Sequence, residues 1–188
     1  MSAMAASLFG GSVGPVAAGP AGQLRAEQRP GALWIWPADE PGPGPAVAFD
    51  LDGVLSDGSA RRHHLSGSKP DWEAFLAGVG DDPPIEETAR LLSLLDPSLA
   101  VVLLTGRPAR VGRVTLDWLS LHQLRWDLMV MRLDGDYRPA AVFKQEAVRA
   151  LRASGLDIRL YFEDDKRTVE LLRTEGLPTL YVHSGYYD

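Results

Sequence analysis

From residue 46 onward, short apolar runs alternate with amphipathic stretches, the rhythm of strands joined by crossover helices. Apolar runs at 46–49, 99–104, 128–131, 158–162 and 179–183 predict five strands, each short enough to be buried on both faces. Between them, apolar positions at helical spacing predict helices over 85–95, 110–122, 143–153 and 167–174. Glu86 and Glu87 suit the first turn of one, while Gly155 and Gly176 follow the last two as C-terminal stops. The expected fold is α/β: a doubly wound parallel sheet of about five strands with crossover helices. Residues 1–44 break this rhythm, being rich in Gly, Ala and Pro and ending in PADEPGPGP. They predict a flexible extension preceding a domain over 45–188, with one apolar island, ALWIW at 32–36, expected to dock on that domain as an extra strand ahead of the alternative of a partner-binding motif.

In open sheets of this kind, chemistry collects where the strands end at their carboxyl termini. The first strand runs directly into AVAFDLDGVLSDG, so Asp50 and Asp52 leave the sheet together. In extended backbone the two would face the same side, and two such close carboxylates call for a cation. An ordinary polar turn of Asp and Gly explains the same stretch when it is read alone. The second strand ends in Thr105, Gly106 and Arg107, a hydroxyl, free N–H groups and a guanidinium suited to an anion, or else a plain helix cap. Lys144 stands at the expected start of the helix over 143–153, where the helix dipole is already positive and a negative partner would relieve it. The fourth strand ends in Glu163, Asp164 and Asp165, a crowd of carboxylates fit for a hard cation such as Mg2+, or for neutralisation by Lys166 and Arg167. Together these loops offer a carboxylate nucleophile, a metal ion and donors for phosphoryl oxygens, the parts that phosphoryl transfer needs.

Composition narrows the field further. The 188 residues contain no cysteine, which excludes disulfides, thiolate metal sites and cysteine nucleophiles. No apolar stretch approaches the roughly 20 residues of a membrane span, so the expectation is a soluble, cytoplasmic protein without a membrane partner. A formal net charge of −6 argues against a globally basic nucleic-acid coat but leaves room for a local basic face. The segment 59–69 is such a face, with Arg61, Arg62, His63, His64 and Lys69 and no acid; it predicts contact with a nucleic-acid backbone, or else is a solvated loop whose charge is incidental.

These residues resemble the four motifs of the haloacid dehalogenase superfamily of phosphohydrolases, in their usual order: DLDGV at 50–54, LLTGR at 103–107, Lys144, and FEDD at 162–165. The resemblance implies a Rossmann-like core in which Asp50 attacks phosphorus and Asp52 acts as acid and then base. It also implies that Thr105, Gly106, Arg107 and Lys144 bind the phosphoryl group. Mg2+ would be held by Asp50, by the backbone carbonyl of Asp52 and by the fourth-motif acids, Asp164 first and Glu163 second, with Asp165 left open. Within the superfamily the second half is most similar to the phosphatase domain of polynucleotide kinase-phosphatases, through TGRP, TLDWL at 115–119, LMVMR at 128–132 and EDDKRTVELLRTEG. It departs from them at Pro139, Ala140 and Ala141, where an acidic residue usually precedes the lysine, and no Gly-rich kinase phosphate loop occurs in this sequence.

The intervals between motifs leave no room for a large cap domain, so the site should admit a bulky substrate. The expected partner is a phosphorylated substrate, a DNA or RNA 3' end. Two other readings stand beside it: the same chemistry on nucleotides or other small phosphomonoesters, and a non-catalytic module that binds phosphorylated ends. The Asp50 and Asp52 pair argues against the last.

Overall fold

A computed structural model of the chain describes residues 24–66 and 68–185, and in it the apolar runs form one seven-stranded sheet. The strands are β1 (Arg25–Arg29), β2 (Ala32–Trp36), β3 (Gly44–Phe49), β4 (Ala100–Pro108), β5 (Leu128–Arg132), β6 (Leu156–Glu163) and β7 (Thr179–Tyr181), laid side by side as β1-β2-β5-β4-β3-β6-β7. The helices are α1 (Trp72–Ala77), α2 (Glu86–Leu94), α3 (Gly112–Leu121), α4 (Ala140–Ala153) and α5 (Lys166–Thr174), with 3₁₀ segments at Gly58–Leu65 and Ala109–Val111. The last five strands are mutually parallel, as the alternation of runs and helices requires.

Alternate residues of each central strand enter opposite layers, and both layers are apolar. Ala46, Ala48, Val102, Leu104 and Val130 pack with Phe143, Val148 and Leu151 of α4 on one face. Val47, Phe49, Val101, Leu103 and Met129 pack with Leu92 of α2 and Trp118 and Leu119 of α3 on the other. That two-faced burial is why these strands read as continuous apolar runs.

The sheet has two more strands than the five expected. ALWIW is the docked strand β2, antiparallel to β5, with all five residues buried because they too feed both layers. Its partner β1, RAEQR, carries no apolar alternation and was not expected; it is the sheet's outer edge and needs only backbone pairing. Pro30 and Gly31, the latter at φ +81°, turn the chain between them, and the Arg29 guanidinium lies 4.1 Å over the Trp34 ring. Among the described residues, the stretch before residue 44 thus contributes two strands, β1 and β2, to the sheet. The rest of that stretch, residues 1–23, lies outside the described residues.

Among the described residues, the interval between β3 and β4 holds a 3₁₀ segment, α1 and α2, and no large cap. Among the described residues no helix is long and apolar enough to cross a membrane.

Candidate active site

The site begins where β3 and β6 end side by side. Phe49 and Phe162 stack with ring centroids 4.5 Å apart, and the Asp50 N–H donates to the Phe162 carbonyl at 3.0 Å. Asp50 and Glu163, the next residue on each strand, are thereby delivered to the same place. Lys144 joins them from α4, its Nζ 2.6 Å from Asp50 Oδ2 and 2.7 Å from Glu163 Oε2. Its position corrects the expectation that it opens a helix at 143: α4 starts at Ala140, so Lys144 sits in the second turn. Its negative partners are the two carboxylates rather than a relief of the helix dipole.

The run Glu163, Asp164, Asp165 divides into three tasks. Glu163 pairs with Lys144 and accepts the N–H groups of Asp164 and Asp165 at 3.2 and 3.1 Å. Asp165 is the N-cap of α5, accepting from Arg167 N at 3.0 Å and Thr168 Oγ1 at 2.8 Å. Asp164 turns toward Asp50 and accepts a hydrogen bond from Ser184 Oγ at 2.7 Å. Oxygens of Asp50, Glu163 and Asp164 all lie within 4.8 Å of one another, a grouping able to hold a metal ion.

The electrostatics fit a divalent cation. Three buried carboxylates face one ammonium, leaving two negative charges to be balanced when all are ionised. Burial foremost pushes Asp50 well above the usual carboxylate range; Lys144 opposes this, and Glu163 and Asp164 add to it. Burial likewise carries Asp164 to about 7, with Glu163 adding and Ser184 opposing. For Lys144, burial disfavours the charge, but Asp50 and Glu163 outweigh it and hold the ammonium well above its ordinary value.

Asp52 lies in a second, adjoining network. Its carboxylate accepts from Arg107 Nε at 3.0 Å and Nη2 at 2.8 Å and from Arg61 Nη2. Behind the two guanidiniums sits buried Asp82, 2.8 Å from Arg61 Nε and 2.5 Å from Ser56 Oγ. Burial alone would raise Asp52, yet Arg107 and then Arg61 outweigh it and set the carboxyl at about 2. The two aspartates of the first motif are thus treated oppositely, one by burial and one by arginines.

Arg61 was expected on a nucleic-acid backbone, but it is buried, its guanidinium 4.0 Å over the Phe75 ring and shared between Asp52 and Asp82. Arg107, read from sequence as a substrate ligand or a loop pin, is 1% exposed and directs its N–H groups to Asp52, Ser56 and Thr115. Thr105 is fully buried at the end of β4 and accepts the Arg107 N–H at 3.1 Å, with Gly106 between them where the β4–β5 register shifts. In sequence, no role attaches to Ser184, at the head of the terminal SGYYD, to Ser56 in the first-motif stretch, or to Asp82, because each acts through a contact made only on folding.

Gly53 closes the arrangement. At φ +75° it lies so near the carboxylate cluster that a Cβ there would stand 1.9 Å from Asp164 Oδ2 and 2.8 Å from Ser184 Cβ.

A doubly wound sheet with carboxylates, a lysine and a hydroxyl at adjoining strand ends is compatible with the haloacid dehalogenase superfamily. Residues 44–187 match the family described as the polynucleotide kinase PNKP phosphatase domain, and the chain belongs to that family. Among solved structures, a chain of the Pnkp1/Rnl/Hen1 RNA repair complex is 27% identical, with a TM-score of 0.62 over 77% of this chain and 44% of that one. The protein thus spans less than half the length of that relative. A HAD-like phosphatase from Mesorhizobium loti (15% identity, TM-score 0.56, 80% of this chain and 78% of that one) shares the fold. So does a haloacid dehalogenase-like hydrolase from Streptococcus pneumoniae (17%, 0.51, 72% and 83%). No curated protein sequence matches the chain.

Proposed function

We propose that this domain is a Mg2+-dependent phosphatase that removes terminal 3'-phosphates from nucleic acid through an aspartyl-phosphate. The observation that carries the reading is the buried convergence of Asp50, Lys144, Glu163 and Asp164 beside an Asp52 held ionised by arginines. Support for the substrate comes from the family match, the likeness to a chain of an RNA repair complex and the lack of a large cap.

In the first step an Asp50 carboxylate oxygen bonds to phosphorus as the bond from phosphorus to the leaving oxygen breaks, and that oxygen takes a proton from Asp52. Asp52 is ionised at rest. An anionic phosphate arriving beside it offsets the arginines and raises its affinity for the proton it must carry. In the second step water attacks the same phosphorus, gives a proton to Asp52, and phosphate leaves with Asp50 restored. Lys144, Thr105 and the Gly106 backbone bind phosphoryl oxygens, while Arg107 and Arg61 hold Asp52 in place. Asp50, the Asp52 backbone carbonyl and Asp164, with Glu163 beside them, would hold Mg2+, which when bound would supply charge neutralisation for the phosphoryl group.

The test is phosphate release from a 3'-phosphorylated oligonucleotide and from 3'-mononucleotides side by side, with Mg2+ and with excess chelator. Higher kcat/KM on the oligonucleotide and none in chelator is expected. Equal or better turnover of mononucleotides would move the protein to the small-phosphomonoester class.

A further inference from the structure

We propose that Tyr137 and Trp72 form a base-stacking platform at the mouth of the phosphatase site, taking the nucleobases next to the terminal phosphate; this rests on the nucleic-acid reading above. Two large aromatic side chains among the described residues are exposed, Tyr137 at 93% and Trp72 at 57%, and both lie in segments that follow the carboxyl ends of sheet strands, Tyr137 after β5 and Trp72 after β3. Neither contributes to the buried clusters of the core.

Tyr137 is held out from a loop that is otherwise pinned. Arg132 Nη1, at the end of β5, donates to the carbonyls of Asp136 at 3.2 Å and Arg138 at 2.7 Å, gripping the backbone on either side of Tyr137. Arg138 locks the same loop through the Asp136 carboxylate, with Nη2 2.7 Å away. The other guanidinium nitrogen of Arg132 borders the Thr105–Gly106 turn, since its Nη2 lies 4.0 Å from the place a Gly106 Cβ would take. One arginine thus ties the aromatic loop to the turn expected to receive the phosphoryl group. A ring presented from fixed backbone costs little further ordering when a base docks on it.

Trp72 stands on the opposite bank, three contacts from Asp52. Its ring meets the Phe75 ring edge-on at 5.8 Å, Phe75 lies beneath the Arg61 guanidinium, and Arg61 binds Asp52. Arg110 ties the two banks together, with Nη2 2.6 Å from Glu73 beside Trp72 and its N–H 3.0 Å from Asp134 in the Tyr137 loop. The occupant follows from covalent chemistry: a strand whose terminal phosphate sits at Asp50 carries its last bases across the mouth of the site. Every base has a π-face, so such a platform would accept ends of any sequence.

The experiment uses the full chain and its Trp72→Ala, Tyr137→Ala and doubly substituted variants. Substrates are a 3'-phosphorylated hexanucleotide, the same strand abasic at its last two positions, and p-nitrophenyl phosphate. Each alanine should raise KM for the base-bearing strand by about 5- to 100-fold with the loss falling on KM rather than kcat, and Tyr137→Phe should restore it. On the unsubstituted protein, the abasic strand should behave as the base-bearing strand does on the double variant. The platform is refuted if the double variant keeps the preference for the hexanucleotide over p-nitrophenyl phosphate, or if abasic and base-bearing strands are equivalent. If the unsubstituted protein shows no such preference, the nucleic-acid reading itself fails and takes the platform with it.

Discussion

Replacing Gly53 by alanine tests the geometry of the carboxylate cluster with one methyl group. That methyl would stand 1.9 Å from Asp164 Oδ2, 2.6 Å from its Cγ and 2.8 Å from Ser184 Cβ. Ordinary contact begins at 3.4 Å, so the Asp164 carboxylate must withdraw by about 1.5 Å. Metal sites tolerate ligand displacements of only about 0.2 Å, so a carboxylate moved this far no longer ligates. The backbone adds its own cost, because a residue with a Cβ at φ +75° is disfavoured by about 1–2 kcal/mol. Losing the hydrogen bond from Ser184 to Asp164 adds about 1 kcal/mol. The expected result is a melting temperature lower by roughly 5–10 °C, with Mg2+ affinity lower by at least about 100-fold. Calorimetric titration with Mg2+ and circular-dichroism melts measure the two effects separately. A Gly53→Ala protein that binds Mg2+ within about threefold of the original and melts at the same temperature would refute the reasoning.

Asp50→Asn keeps the shape of the nucleophile and should lower turnover by at least about 10⁴-fold, with a beryllofluoride mimic binding the unsubstituted protein alone; full activity in the variant would exclude an aspartyl-phosphate. Ser184→Ala leaves Asp164 without its hydroxyl donor and should weaken Mg2+ binding by about 10-fold, read by titration; unchanged affinity would reduce Ser184 to a surface contact. Asp52 supplies a pH test, because its carboxyl is set at about 2 against an ordinary 3.8. A depressed carboxyl contributes stability that is complete above the unfolded value and is lost as the pH falls through the folded one. The stability difference between the original and Asp52→Asn should therefore be flat from about pH 5 to 8 and shrink by about 2 kcal/mol between about pH 4 and 2. Urea midpoints across that range measure it, and a difference undiminished at pH 2 would rule out the arginine clamp.

The local pattern alone determined the parallel core and the places where chemistry would emerge. Strands buried on both faces must be apolar runs, and carboxylates directly following such runs have nowhere to go but the sheet's edge, which is why Asp50, Glu163, Asp164 and the Thr105 turn were legible. The strand β1 was not, because an edge paired through its backbone needs no apolar residue. Tertiary structure alone decided how the charges are shared. Spacing placed Asp50 and Asp52 together, but only the approach of Lys144, 94 residues away, and of Arg107, 55 residues away, gives them separate partners and opposite proton affinities. The three acids 163–165 are alike in sequence; a helix start claims Asp165, the lysine claims Glu163, and Ser184 turns Asp164 toward the cluster. Side-chain chemistry is written residue by residue, whereas a pKa or a ligand set depends on what the fold carries to within a few ångströms, and for Asp50 and Asp52 those neighbours come from other strands and helices.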